Sequence, residues 1–152
     1  MNIRGYILDT CAIISYFKDI FNDDKDISSE IRSEISVALQ NSIYQPSPVR
    51  LIVPSMAFIE IRDKWCTSDE IREKIRCEVF IPLSQSENIH VCPFEEGILK
   101  RALFLDKYDC NFDNHDRYFV ATTLEYGHPL ITSDIEILKY RRHCSGNLVI
   151  RW

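Results

Sequence analysis

The sequence predicts an α/β sandwich of three layers, with a mainly parallel central sheet of about five strands. Short apolar runs recur along the chain, helical periodicities separate them, and no run is long enough for anything but a strand or a core helix. Arg4–Leu8 and Leu51–Val53 are two such runs, followed by Ile89–Cys92, Pro129–Thr132 and Asn147–Ile150. Their length and β-branched content mark strands, buried on both faces where the run is unbroken. Helical segments between consecutive strands supply the crossovers that parallel pairing requires.

Each helix carries its own signature. Ile31, Ile35, Ala38 and Leu39 lie on one face, with Ser28 or Ser29 as N-cap. Ser55 is placed to cap a helix carrying Ala57, Phe58 and Ile61, and Thr67 with Glu70 has capping-box spacing ahead of Ile71, Ile75 and Val79. Ile98, Leu99, Ala102, Leu103 and Leu105 mark a further helix after Pro93. Asp113 caps the next, which runs through Phe119, Val120, Thr123 and Leu124 to a stop at Gly127. Ser133 and Glu136 repeat the capping-box spacing before a short helix whose cations, Lys139, Arg141, Arg142 and His143, suit its C-terminal end. Asp19–Asp26 and Gln45–Pro48 read as loops.

At 152 residues the chain predicts one domain over 1–152. An apolar share of 45% and a charged share of 27% are those of a globular protein and exclude a disordered one. No apolar stretch approaches the ~18 residues of a membrane span. No cleavable leader is recognisable at the N-terminus, so a cytoplasmic location is the expectation. Six cysteines occur without a CxxC pair, and reduced thiols are expected. Cys11, Cys77 and Cys92 stand among apolar neighbours and read as small buried hydrophobes. His143 and Cys144 are too few for zinc. Four glycines and no Gly-rich loop argue against a P-loop or dinucleotide-binding protein. The net charge of −5 opposes nucleic-acid binding by overall field, although a cation bound among clustered acids would reverse the sign locally.

The chemistry-bearing residues are carboxylates at strand ends. Asp9 follows the first strand directly, and Asp134 stands two residues past the fourth. Ligands of open parallel sheets bind beyond the carboxyl ends of the strands, which places both acids at the functional edge. Glu60 lies on the helix leaving the second strand, at the same edge. Asp116 sits in the first turn of the helix before the fourth strand, and a simple crossover leaves that helix start at the opposite edge. Taken singly, each acid has an ordinary role: helix cap or turn for Asp9 and Asp134, dipole partner for Asp116, solvated face for Glu60.

Taken together they follow a known pattern. Ile7-Leu8-Asp9-Thr10, leading into a helix, resembles the opening motif of the PIN-domain family, which includes the VapC-like ribonucleases. Val53-Pro54-Ser55 leading to Glu60 resembles the second motif. Asp116 through Gly127-His128-Pro129-Leu130-Ile131-Thr132-Ser133-Asp134 is similar to the third and fourth. The resemblance spans positions 6 to 134. It implies a divalent-metal-dependent endoribonuclease with Asp9, Glu60, Asp116 and Asp134 as the catalytic quartet. Asp9, Asp116 and Asp134 would be ligands to Mg²⁺ or Mn²⁺, the hard cations that all-oxygen donors select. Asp113 and Asp116 both compete for the third acidic position, and the spacing to Gly127 and Asp134 favours Asp116. Asp113, Thr10 and Thr132 would then orient the carboxylates. Arg62, Lys64, Lys139, Arg141 and Arg142 are candidate phosphate contacts for RNA, and a solvated helix face explains them equally well.

The resemblance also implies partners: RNA, a cognate antitoxin if the chain is a toxin, and a second copy in a homodimer. A PIN-like binding module without catalysis is the rival from another class. A phosphate-accepting receiver-type α/β protein ranks behind both, because no lysine follows the last strand.

Overall fold

The computed structural model describes residues 4–21, 49–105, 112–140 and 149–151. The helix expected around Ile31–Leu39 lies outside them, as do Cys110, Arg141, Arg142, His143 and Cys144.

Four strands form the body of a parallel sheet: β1 (Arg4–Leu8), β2 (Val49–Pro54), β3 (Ile89–Cys92) and β4 (Leu130–Thr132), with the short β5 (Val149–Arg151) at the edge beside β4. The spatial order is β3-β2-β1-β4-β5 and every pair is parallel. The strand positions match the apolar runs of the sequence. Ile7 and Leu8 are both fully buried although successive strand residues point to opposite faces, so both faces of β1 are covered. Leu51, Ile52, Val53, Leu130 and Ile131 repeat this on β2 and β4, giving the predicted three-layer arrangement.

The helices are α1 (Thr10–Tyr16), α2 (Lys18–Phe21), α3 (Ser55–Trp65), α4 (Asp69–Ile75), α5 (Ile81–Gln85), α6 (Glu96–Phe104), α7 (Asn114–Tyr126) and α8 (Ile135–Tyr140). A wider π turn, Arg76–Phe80, joins α4 to α5. In a regular turn the Pro82 ring would meet the Glu78 carbonyl, and the wider turn avoids that contact.

Three caps differ from their expected residues. Ser68, not Thr67, caps α4 by accepting from Ile71 N at 3.2 Å. Pro54 occupies the cap position of α3, and Ser55 donates its hydroxyl to the Cys92 carbonyl at 2.7 Å, tying α3 to the end of β3. Asp134, not Ser133, caps α8. Gly127 ends α7 as expected, in the left-handed conformation (φ 66°) that a side chain would disfavour. Two cysteine assignments also change: Cys11 and Cys77 are exposed, because the apolar neighbours beside them in sequence face the core while they face out. The described cysteines Cys11, Cys66, Cys77 and Cys92 are all free thiols.

The strand order reverses between β1 and β4: the chain proceeds to β2 and β3 on one side, then returns to β4 on the other. Such a switch point opens a crevice at the carboxyl ends of the two strands. Among the described residues no helix is long and apolar enough to cross a membrane.

Candidate active site

β1 delivers Asp9 to this crevice. Its N–H donates to the Ile131 carbonyl at 3.2 Å, which fixes it beside the end of β4. Its Oδ1 accepts from Ala12 N at 2.9 Å and caps α1. The capping role and a place at the crevice therefore coexist in one carboxylate. Asp9 is only 3% exposed. Burial pushes its carboxyl up to about 7, hydrogen bonds from Thr132 and Ala12 oppose the rise, and the charges of Glu60 and Asp134 add to it.

Thr132 is fully buried at the end of β4 and connects two of the acids. Its hydroxyl bonds to the Asp9 carboxylate, and the same oxygen accepts from Asp134 N at 3.0 Å. Asp134 in turn accepts from Glu136 N at 2.7 Å and Ile137 N at 3.2 Å, both on one oxygen. Thr10, 2% exposed, donates its hydroxyl to Glu60 Oε2. Both threonines thus bond carboxylates, Thr10 that of Glu60 rather than of its neighbour Asp9.

Asp116 reaches the same crevice, so the opposite-edge expectation does not hold. Among the described residues both expected helices lie between β3 and β4. α6 begins beside the end of α7, where the Tyr126 hydroxyl donates to Glu95 Oε1 at 3.2 Å, and it returns the chain before α7 starts. Burial raises the Asp116 carboxyl to about 7, and the charges of Asp134, Asp113 and Glu60 raise it further than its bond to the Asp113 N–H lowers it.

Asp113 and Asp116 form a reciprocal capping box at the start of α7: Asp116 N donates to Asp113 Oδ1 at 2.9 Å, and Asp113 N to Asp116 Oδ2 at 3.3 Å. The Asp113 side chain is 60% exposed and lies 3.6 Å from His115 Nδ1. Against partial burial, the bond from Asp116 N and the neighbouring His115 hold its carboxyl below the ordinary value. Of the two, Asp116 is the one raised by Asp134 and Glu60.

The candidate cations among the described residues are already engaged. Lys64 pairs with Glu60 Oε1 at the rim of the site, Arg62 lies 3.6 Å from Asp63, and Lys139 pairs with Glu136. Cys11 was not anticipated as part of the site, since one cysteine after an Asp-Thr pair carries no signal of its own. Loss of solvent at its sulfur pushes the thiol up to about 12, and Asp9, Glu60 and Asp134 contribute; the Ser133 side chain opposes.

The chemistry of this donor set fits a hard divalent cation. Asp9, Asp116 and Asp134 supply only carboxylate oxygens, and two of the three carboxyls are raised by burial, with neighbouring negative charge adding to the rise. A pair of like charges 4 Å apart costs up to ~4 kcal/mol at an effective dielectric near 20. A cation or a retained proton relieves that cost.

No protein-family model matches the sequence, and no curated protein matches it. Solved structures do share the fold. One is a chain from the crystal structure of VapBC2 from Rickettsia felis bound to a DNA fragment from their promoter, at 13% identity and a TM-score of 0.64, over 97% of this chain and 98% of that one. Another is a chain of a toxin-antitoxin complex from Klebsiella pneumoniae, at 14% identity and a TM-score of 0.55, over 95% of each. At such identities the likeness establishes a common fold along nearly the whole length of both chains.

Proposed function

We propose that the chain is a PIN-type, divalent-metal-dependent endoribonuclease acting as the toxin of a toxin-antitoxin pair. The observation that supports this most is the convergence of acids from four separate elements at the β1–β4 switch point, where burial raises Asp9 and Asp116 and the neighbouring acids add to the rise. Such crowding is costly in a protein with no use for it. The shared fold with chains of VapBC2 and of the Klebsiella complex supports the toxin-antitoxin setting.

Asp9 and Asp134 would hold the cation from the two strand ends, with Thr132 orienting both, and Asp116 would complete the set from α7. When bound, Mg²⁺ or Mn²⁺ supplies a water of lowered pKa and positive charge against the phosphoryl oxygens. Glu60 accepts a hydrogen bond from the attacking water and orients it, while Thr10 and Lys64 keep the Glu60 carboxylate in place. RNA approaches over the rim, where its phosphate takes Lys64 as a partner.

Leu103 and Phe104 at the end of α6 are 75% and 65% exposed, and Leu99 is exposed one turn earlier on the same helix. An apolar antitoxin segment would cover this ridge.

The deciding experiment incubates purified protein with structured RNA and Mn²⁺, alongside Asp9→Asn. Cleavage is expected from the wild-type chain, and its loss in the variant and under chelation, with folding unchanged. Full activity in Asp9→Asn would remove the assignment. A folded wild-type protein that cleaves no RNA would favour a binding module.

A further inference from the structure

At the end of β3, away from the four acids, three side chains of the kinds that bind metals converge. The ligand atoms of His90, Cys92 and Glu95 all lie within 4.8 Å of one another. They come from one six-residue stretch. His90 and Cys92 are two apart on a strand and so share a face, and Glu95 follows in the turn towards α6. The hydroxyl of Tyr126, from the last residue of α7, sits among them: 3.4 Å from His90 Nε2, 3.4 Å from Cys92 Sγ and 3.2 Å from Glu95 Oε1.

Hydrogen bonding alone is a poor account of this convergence. Cys92 Sγ donates to the Tyr126 hydroxyl, and the phenol has a single proton to offer Glu95 and His90. Its contacts to carboxylate and imidazole are long against the ~2.7–3.0 Å of well-made bonds.

We propose that His90, Cys92, Glu95 and Tyr126 form a binding site for a divalent transition metal of borderline softness, with Zn²⁺ as its type. Imidazole nitrogen, thiolate sulfur and carboxylate oxygen are its usual donors, and four of them complete a tetrahedron. A thiolate and a carboxylate balance the dication. Hard Mg²⁺ takes no sulfur, so the two sites select different metals. Tyr126 and Asp116 lie at opposite ends of α7, ten residues or about 15 Å apart along the helix axis. A metal here would tie β3 to the far end of the helix that carries Asp116.

The Cys92 side chain is buried. Binding forms the metal–sulfur bond and releases the thiol proton to solvent.

The test titrates reduced, metal-free protein with Co²⁺ as a spectroscopic stand-in and then with Zn²⁺. A single equivalent of Co²⁺ is expected to give sulfur-to-cobalt charge transfer in the near ultraviolet, which Zn²⁺ bleaches. Thermal stability is expected to rise with Zn²⁺. Cys92→Ser abolishes the band, whereas Asp9→Asn and Asp134→Asn keep it. Because Cys92 is buried, Glu95→Gln, on an exposed side chain, is the second variant, and weakens Co²⁺ affinity while leaving the metal-free Tm unchanged. No band in the wild type, a band that survives Cys92→Ser, or Glu95→Gln binding as tightly as wild type would overturn the proposal.

Discussion

Asp9 carries two loads that separate on mutation. It caps α1 with one oxygen, a role that asparagine can keep, and it contributes a buried negative charge, which asparagine cannot. Asp9 and Asp116 both stand at about 7 in the folded chain against 3.8 in an unfolded one. The folded state therefore holds more protons than the unfolded state between those values, and stability falls as pH rises through that window. The stabilising contribution is complete below about pH 4 and is lost as pH passes about 7. In chelator, the Tm of the wild type is expected to fall between pH 5 and 8 more steeply than that of Asp9→Asn, with Mn²⁺ restoring it at the upper end. Parallel profiles for the two proteins would show that Asp9 is not raised. Thr132 isolates the positioning role: Thr132→Val keeps the volume and removes the hydroxyl that joins Asp9 to Asp134. Cleavage and Mn²⁺ affinity are expected to fall by roughly 10–100-fold, the usual cost of losing a partner that orients metal ligands, in a chain that still folds.

The starts of α3, α4, α7 and α8 were read from sequence to within a residue, while α2 and α5 were not anticipated; the reason for each one-residue miss is local. Thr67 and Ser68, Ser133 and Asp134, and Pro54 and Ser55 are neighbours of which either or both can serve as a cap. The turn entering the helix selects one, and spacing alone does not describe that turn. Where one candidate stands alone the reading was right, as with Gly127 at the end of α7. α7 matters most for function because its first turn aims Asp116. Asp113→Ala removes half of the capping box and is expected to destabilise the protein by about 1 kcal/mol. It should also loosen Asp116, raising the Mn²⁺ concentration needed for half-maximal cleavage. A variant with lowered Tm and an unchanged Mn²⁺ requirement would assign Asp113 to folding alone.

For the whole molecule, the strands and their parallel arrangement were legible because β1, β2 and β4 are buried on both faces and leave unbroken apolar runs. Strand order was not, and it is the β1–β4 adjacency that turns two strand-end acids into neighbours. The resemblance named Asp116, but topology alone put it at the opposite edge for a related reason: the return path of α6 depends on packing against Glu125, far along the chain. The His90, Cys92, Glu95 and Tyr126 group was hidden as well, since a cysteine in a strand reads as a small hydrophobe and Tyr126 arrives from 34 residues beyond Cys92. Net charge opposed an RNA substrate, and the site accommodates that only through a bound cation. The central claim therefore stands on that cation. Crystals grown with Mn²⁺ and measured at the manganese absorption edge test it most directly. An anomalous peak between the carboxylates of Asp9 and Asp134, within reach of Asp116, is the predicted result; a fully Mn²⁺-equilibrated crystal with no peak there, or with those carboxyl groups more than about 10 Å apart, beyond any shared ion, would contradict it.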